Sequence, residues 1–166
     1  MRSVFMALAL LALTSCGGTP LRVEVATSPA PLEELPAYLS APGLEAHVRE
    51  VAAAMAEGWG GDSSALDGYL IRFEQHLITC GASDLADGCT RGSESVIDLL
   101  AWGSACVEAT VLAHEVGHVV IGDSDHRDPR WREPHFWGRM RETAVRMAPA
   151  GCDLSLFDYF NEVHDD

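Results

Sequence analysis

Lysine is absent from the 166-residue chain, and its eleven basic side chains are all arginines. The 25 aspartates and glutamates outnumber them, and the formal net charge at pH 7 is −14. A chain this acidic is repelled by nucleic-acid phosphates and by anionic lipid headgroups. The composition therefore argues against nucleic acid as a partner.

The sequence also has no apolar run long enough to cross a bilayer as a folded helix, which needs about 20 residues. An apolar run at 4–13 follows Arg2 and leads into Cys16. A positive residue followed by a short apolar run is typical of a secretory signal peptide. We therefore expect residues 1–15 to be a signal peptide.

The four residues LTSC at 13–16 resemble the lipobox of bacterial lipoproteins. This resemblance implies cleavage before Cys16 and attachment of lipid to its thiol, so that the mature chain is anchored in the bacterial cell envelope. Because the next residue is Gly17 and not Asp, the enterobacterial sorting rule implies the outer membrane, with the domain periplasmic or surface-exposed. The alternative is a signal peptide cleaved elsewhere, with Cys16 an ordinary thiol.

Proline marks the segment that follows, since five of the eight prolines lie between Pro20 and Pro42. With Ser, Thr, Ala and Glu between them, residues 16–40 are predicted to be the lipidated cysteine and an extended tether, and residues 41–166 the folded domain. Alternation at 22–25 is also typical of a short strand. A solvated spacer is the preferred interpretation.

Four cysteines remain for the mature domain, an even number that indicates disulfides in an oxidising compartment. Of the three pairings, we favour Cys80 with Cys89 and Cys106 with Cys152. The cysteines show no CxxC spacing that would indicate a cysteine metal site.

Hydrophobic periodicity predicts a small α+β domain. The pattern indicates helices at 44–57, at about 106–121 and at 134–147, with strands at 66–73 and 95–100. Gly122 is expected to end the middle helix.

The middle helix contains HExxH, formed by His114, Glu115 and His118. Residues four apart share a helix face, so the two imidazoles can bind one metal ion while the glutamate takes the proton from an attacking water. The positions around the motif carry no charge, and a glutamate buried among them would be costly without a metal or another partner. The alternative to a metal site is that the two histidines and the glutamate are hydrogen-bonded in a core helix.

In this setting the chain resembles the zincin metallopeptidases, which implies a zincin-like catalytic domain with a short sheet, a central active-site helix, a C-terminal helix and a Zn²⁺ ion. Metzincins take a third ligand from HExxHxxGxxH, whereas this chain has HExxHxxxGxxxH. We expect His126 to be the third ligand, with Asp125 as the nearest alternative and Glu142 or Glu133 as a gluzincin-like option. Met140 and Met147 lie downstream, and core packing is preferred for them over a metzincin Met-turn.

Other positions near the motif admit several roles. Arg127, His135 and Tyr159 are candidates for stabilising the oxyanion. The Asp-rich stretch at 123–128 lacks EF-hand spacing and is interpreted as a solvated turn, not a calcium site. By resemblance, 96–100 is either a substrate-pairing strand or an internal one.

These features predict a monomeric, lipid-anchored zinc metalloendopeptidase that acts on a peptide or protein substrate. The competing hypothesis is a lipoprotein that binds zinc without turnover. An open coordination position on the zinc would distinguish the two hypotheses, because in structural zinc sites a fourth protein ligand usually fills that position.

Overall fold

The computed structural model describes residues 18–27, 37–81, 83–101 and 105–132, together with Gly138. Six strands and two helices lie in these ranges: β1 Arg22–Val25, α1 Leu44–Gly58, β2 Leu70–Glu74, β3 Ile78–Cys80, β4 Ser83–Ala86, β5 Gly88–Arg91, β6 Val96–Leu100 and α2 Ala105–Ile121. Short 3-10 turns occur at Ala37–Ser40, Ser63–Leu66 and Pro129–Arg132. The described part is therefore mixed α+β, as predicted.

Four of the strands form one sheet in the order β1-β2-β6-β5. The pairs β1–β2 and β2–β6 are parallel, and β5 is antiparallel to β6. Strands β3 and β4 form a separate antiparallel pair. Strand β5 is thus an edge strand of the main sheet, and β6 is its only neighbour in that sheet among the described residues.

One face of the sheet packs against the helices because its alternate residues are apolar. Ile71 lies beside Ile97, and Phe73 beside Leu99, and all four are buried in the main core. Helix α1 adds an apolar stripe at helical spacing, formed by Val48, Val51, Ala52, Met55 and Ala56. Helix α2 packs against α1 and against strands β5 and β6.

The two predicted helices in the described part are confirmed within one or two residues. Helix α1 starts after Gly43, whose φ of 85° only glycine adopts freely. Helix α2 ends at Ile121, and the next residue, Gly122, has φ 72° and donates its N–H to the carbonyl of His118. The helix predicted at 134–147 lies outside the described residues.

The spacer interpretation of 22–25 is wrong. These residues form β1 in parallel register with β2, and Leu21 and Leu39 are buried in the core. The alternating pattern marked a real strand, because its apolar residues Val23 and Val25 pack on the core. The predicted signal peptide and Cys16 lie outside the described residues.

One strand assignment needs a further correction. The strand predicted over 66–73 begins only at Leu70, after a 3-10 turn. Of the two roles considered for 96–100, the structure shows the internal one. Strand β6 pairs with β2 on one side and with β5 on the other, so it is not available to pair with substrate. No helix among the described residues is long and apolar enough to cross a bilayer.

The disulfide between Cys80 and Cys89 is confirmed, with Cα atoms 5.5 Å apart. It ties β3 to the edge strand β5, so the small second sheet is held beside the main one. The side chain of Cys106, and all of Cys152, lie outside the described residues. Their pairing stays a prediction.

Candidate metal centre

Three histidine side chains converge at the C-terminal end of α2. His114 and His118 lie one turn apart on the helix, and His126 returns from the loop that follows it. The Nε2 atom of His114 lies 3.1 Å from Nε2 of His118 and 3.1 Å from Nε2 of His126. The three ligand atoms all lie within 4.8 Å of one another.

The tautomer of His118 is set by the main chain. Its Nδ1 lies 2.7 Å from the carbonyl oxygen of Asp123, which can only accept, so Nδ1 carries the proton. Burial lowers the pKa of His118, against the smaller opposing effect of this hydrogen bond and of the Asp123 charge. The neutral ring therefore turns an unprotonated Nε2 toward the other two histidines, as a metal ligand requires.

The cluster has the dimensions of a metal site. Two nitrogen ligands of a tetrahedral zinc ion, each at about 2.0–2.1 Å, lie about 3.3 Å apart. The observed separations of 3.1 Å are close to this value. Three imidazoles suit several transition metals, zinc among them, so the histidines could hold a metal ion whose identity the geometry alone leaves open.

The loop brings His126 to the cluster by an uncommon backbone conformation. His126 has φ 55°, in the left-handed region that non-glycine residues adopt infrequently. Such conformations persist only where the surrounding structure holds them, and they are concentrated at functional sites. The loop therefore orients this ring at an energetic cost.

Glu115 is buried beside the cluster, with 5% of its surface exposed. The hydroxyl of Thr90 on β5 lies 2.8 Å from Oε2 of Glu115 and 3.0 Å from its backbone carbonyl. Desolvation raises the pKa of Glu115 to about 7, and its hydrogen bonds with Thr90 partly oppose this rise. A carboxyl with a pKa near neutrality can accept and return a proton.

Gly88 makes room for this carboxylate. A Cβ atom at position 88 would lie 2.9 Å from Oε1 of Glu115 and 2.5 Å from a methyl group of Val111. The edge strand can approach α2 closely because this position has no side chain.

A buried tryptophan packs against all three histidines. The Trp131 ring centroid lies 5.1 Å from that of His114, 4.8 Å from His118 and 4.6 Å from His126. The same ring lies 4.7 Å from Trp59, whose indole N–H donates to the carbonyl of Ala113 at 2.7 Å. Met140 and Met147 lie outside the described residues.

The cluster and Glu115 open into a pocket of about 510 Å³. Its walls come from α2, the edge strand β5, the β3–β4 pair and the loop after α2. The lining residues beyond the histidines and Glu115 are Tyr69, Cys80, Ala86, Gly88, Thr90, Gly92, Val119, Gly122 and Ser124. A groove beside a sheet edge that pairs with no other strand in the described part of the chain is suited to an extended peptide.

The structure separates the two leading candidates for the third ligand. His126 joins the cluster, whereas Asp125 is exposed and pairs with Arg127 at 3.1 Å. The Arg127 side chain is 83% exposed and does not line the pocket. Glu133, Glu142, His135 and Tyr159 lie outside the described residues.

The Asp-rich stretch is a turn built by its own carboxylates. Asp123 accepts the N–H groups of Asp125 and Asp128, and Asp128 accepts from the N–H and the guanidinium of Arg130. These acceptors are used inside the loop, which agrees with the turn interpretation.

Thr90, Gly88, Trp131 and Tyr69 were not predicted as site residues. No local spacing links them to HExxH, because each reaches the site through the tertiary fold. A glycine in a strand that is otherwise half-buried was the one available signal, since such glycines often mark a close approach.

No family model, no curated protein sequence and no solved structure matches this chain. The geometry and chemistry of the site are therefore the basis on which its function is inferred.

Proposed function

We propose that this protein is a zinc-dependent metalloendopeptidase in which His114, His118 and His126 hold the ion and Glu115 is the general base. The observation that supports it best is the convergence of three imidazole Nε2 atoms beside a buried carboxylate in an open pocket. Structural zinc usually has four protein ligands. Among the described residues, the cluster contains three.

Each part of the site has a role in peptide hydrolysis. Zinc, when bound, supplies a Lewis acid that polarises the scissile carbonyl. Glu115 takes a proton from the attacking water and passes it to the leaving amine, while Thr90 keeps its carboxylate oriented. Strand β5 ends the main sheet and lines the pocket, and an edge strand is a place where an extended substrate can pair.

The experiment begins with zinc content, measured by mass spectrometry on the full mature chain. We expect about one zinc per wild-type chain and none in His114→Ala/His118→Ala. His47→Ala/His76→Ala is the matched control, because it also removes two histidines but at exposed positions. It should keep the zinc.

The same samples then test hydrolysis on a fluorescently labelled unfolded protein. Cleavage by the wild type and the control, but not by the chelated protein, would support the peptidase. Zinc that is bound without cleavage of any of several unfolded proteins would favour the non-catalytic lipoprotein. A folded wild type that binds no zinc would overturn both.

We also propose that lipid on Cys16 anchors the chain in a bacterial cell envelope and that its substrate is located there. The Cys80–Cys89 disulfide supports an oxidising compartment. Labelled palmitate should be incorporated into the full-length protein and not into Cys16→Ser, whereas Cys80→Ser should retain the label. Equal labelling of the Cys16→Ser variant would contradict the anchor.

A further inference from the structure

The carboxylate of Asp123 organises the loop that carries the third histidine. Its Oδ1 accepts the N–H of Asp125 at 2.9 Å, and its Oδ2 accepts the N–H of Asp128 at 2.6 Å. The side chain is thus a charged acceptor at the centre of the turn.

These two hydrogen bonds bracket His126. The residue before it and the residue two positions after it are held by the same carboxylate. Between them, His126 has its left-handed φ of 55°, and its Nε2 lies 3.1 Å from that of His114. Without the bracket, the loop would relax toward a less costly backbone and carry the ring away.

Asp123 also acts on a second histidine through its main chain. Its carbonyl oxygen accepts from Nδ1 of His118 at 2.7 Å, which orients that ring. One residue therefore connects the end of α2 to the returning loop, and it does so through two different groups.

We propose that Asp123 is a positioning residue that presents His126 to the metal, so that the third ligand is preorganised by the Asp123 carboxylate. This inference rests on the proposed metal site, but it does not require peptide hydrolysis. It assigns the first Asp of the turn a specific role and makes Asp125, two positions away, dispensable for metal binding.

The test compares Co²⁺ and Zn²⁺ dissociation constants of the full mature chain with those of Asp123→Asn and Asp125→Asn. The asparagine at 123 replaces an acceptor oxygen with an amide NH₂ at one of two backbone N–H groups. We expect it to weaken metal binding by about 10- to 100-fold, the usual effect of losing an outer hydrogen-bond partner. Asp125→Asn is the matched control, since it removes the same charge from the same loop at an exposed position.

Asp125→Asn should change the dissociation constant by less than about threefold, because exposed charges are screened. An equal loss in both variants would overturn the proposal in favour of general electrostatics. A large loss in Asp125→Asn alone would overturn it in favour of Asp125 as the ligand.

A double-mutant cycle separates positioning from general destabilisation. In a His126→Ala background, Asp123→Asn should cause little further loss of affinity, since the ligand it presents is gone. The same fold loss in both backgrounds would contradict the proposal, as would a wild-type dissociation constant for Asp123→Asn. If Asp123→Asn unfolds at too low a temperature to assay, Asp123→Ser replaces it. Serine keeps one acceptor oxygen, so its metal affinity should lie between that of the wild type and that of His126→Ala.

The outcomes also distinguish this proposal from the proposed function. A wild type that binds neither metal would overturn the metal site and, with it, the role of Asp123. A wild type that binds metal with the affinity pattern above, but cleaves no substrate, would overturn only the peptidase.

Discussion

Glu115→Gln is expected to lower kcat by about 10²- to 10⁴-fold, the usual contribution of a general base, while zinc stays bound. The amide has the shape of the carboxylate, and its oxygen can still accept from the Thr90 hydroxyl. A neutral side chain also avoids the desolvation cost of a buried charge. The variant should therefore fold and bind metal but be unable to take a proton from water.

The measurement is kcat and KM on a labelled peptide, together with zinc content by mass spectrometry. Glu50→Gln is the matched control, since Glu50 is exposed on α1, away from the pocket, and it should retain wild-type kcat. Undiminished turnover by zinc-loaded Glu115→Gln would refute the mechanism. Loss of zinc together with turnover would instead show that Glu115 supports the metal site.

Gly117→Ala is expected to destabilise the protein by about 2–3 kcal/mol, at the upper end of the range for overpacking a core. A Cβ atom at this position would lie 2.7 Å from ring atoms of both Trp59 and Trp131. Both rings are fully buried, so neither can move aside without shifting its own neighbours. At an exposed helix position the same change would stabilise by about 1 kcal/mol, so the sign itself is diagnostic.

The same substitution should weaken metal binding, because the displaced Trp131 ring contacts all three histidines. Urea denaturation of the chelated protein measures the first effect, and Co²⁺ titration measures the second. Gly92→Ala is the control for stability, since a Cβ atom there meets nothing within 4 Å, and it should stay within about 0.5 kcal/mol of wild type. A Gly117→Ala protein as stable as wild type would show that the two rings are not tightly packed.

The sequence pattern predicted correctly those features that depend on residues close together in the chain. The apolar spacing in α1 and α2 matches the observed helices, and Gly122 ends α2 as expected. The i, i+4 spacing of His114 and His118 places both on one face for the same reason. Cys80 and Cys89 are only nine positions apart, so their disulfide also closes a local loop.

The sequence pattern did not predict which strands pair when the pairing partners are far apart in the chain. The alternation at 22–25 indicated a strand, but only the parallel neighbour β2 makes that strand part of the fold. In the same way, the sequence left open whether 96–100 is an internal strand or one that pairs with substrate, and only the pairing with β2 and β5 decides that it is internal. Strand pairing depends on which segments meet in space, and a single sequence carries little information about it.

The spacing of HExxH by itself determined that one helix face offers two imidazoles, with a carboxylate on the adjacent residue. The sequence favoured His126 as the third member of that set and left Asp125 open, and only the tertiary structure decided between them and showed what surrounds the cluster. Thr90 reaches Glu115 from 25 positions away, and Trp59 reaches Ala113 from 54. His126 was chosen over Asp125 by the backbone of one loop, whose hydrogen bonds with Asp123 turn the imidazole inward while Asp125 pairs with Arg127 in solvent. Helical periodicity is a property of adjacent residues, whereas the position of the third histidine depends on backbone angles that the packed loop enforces.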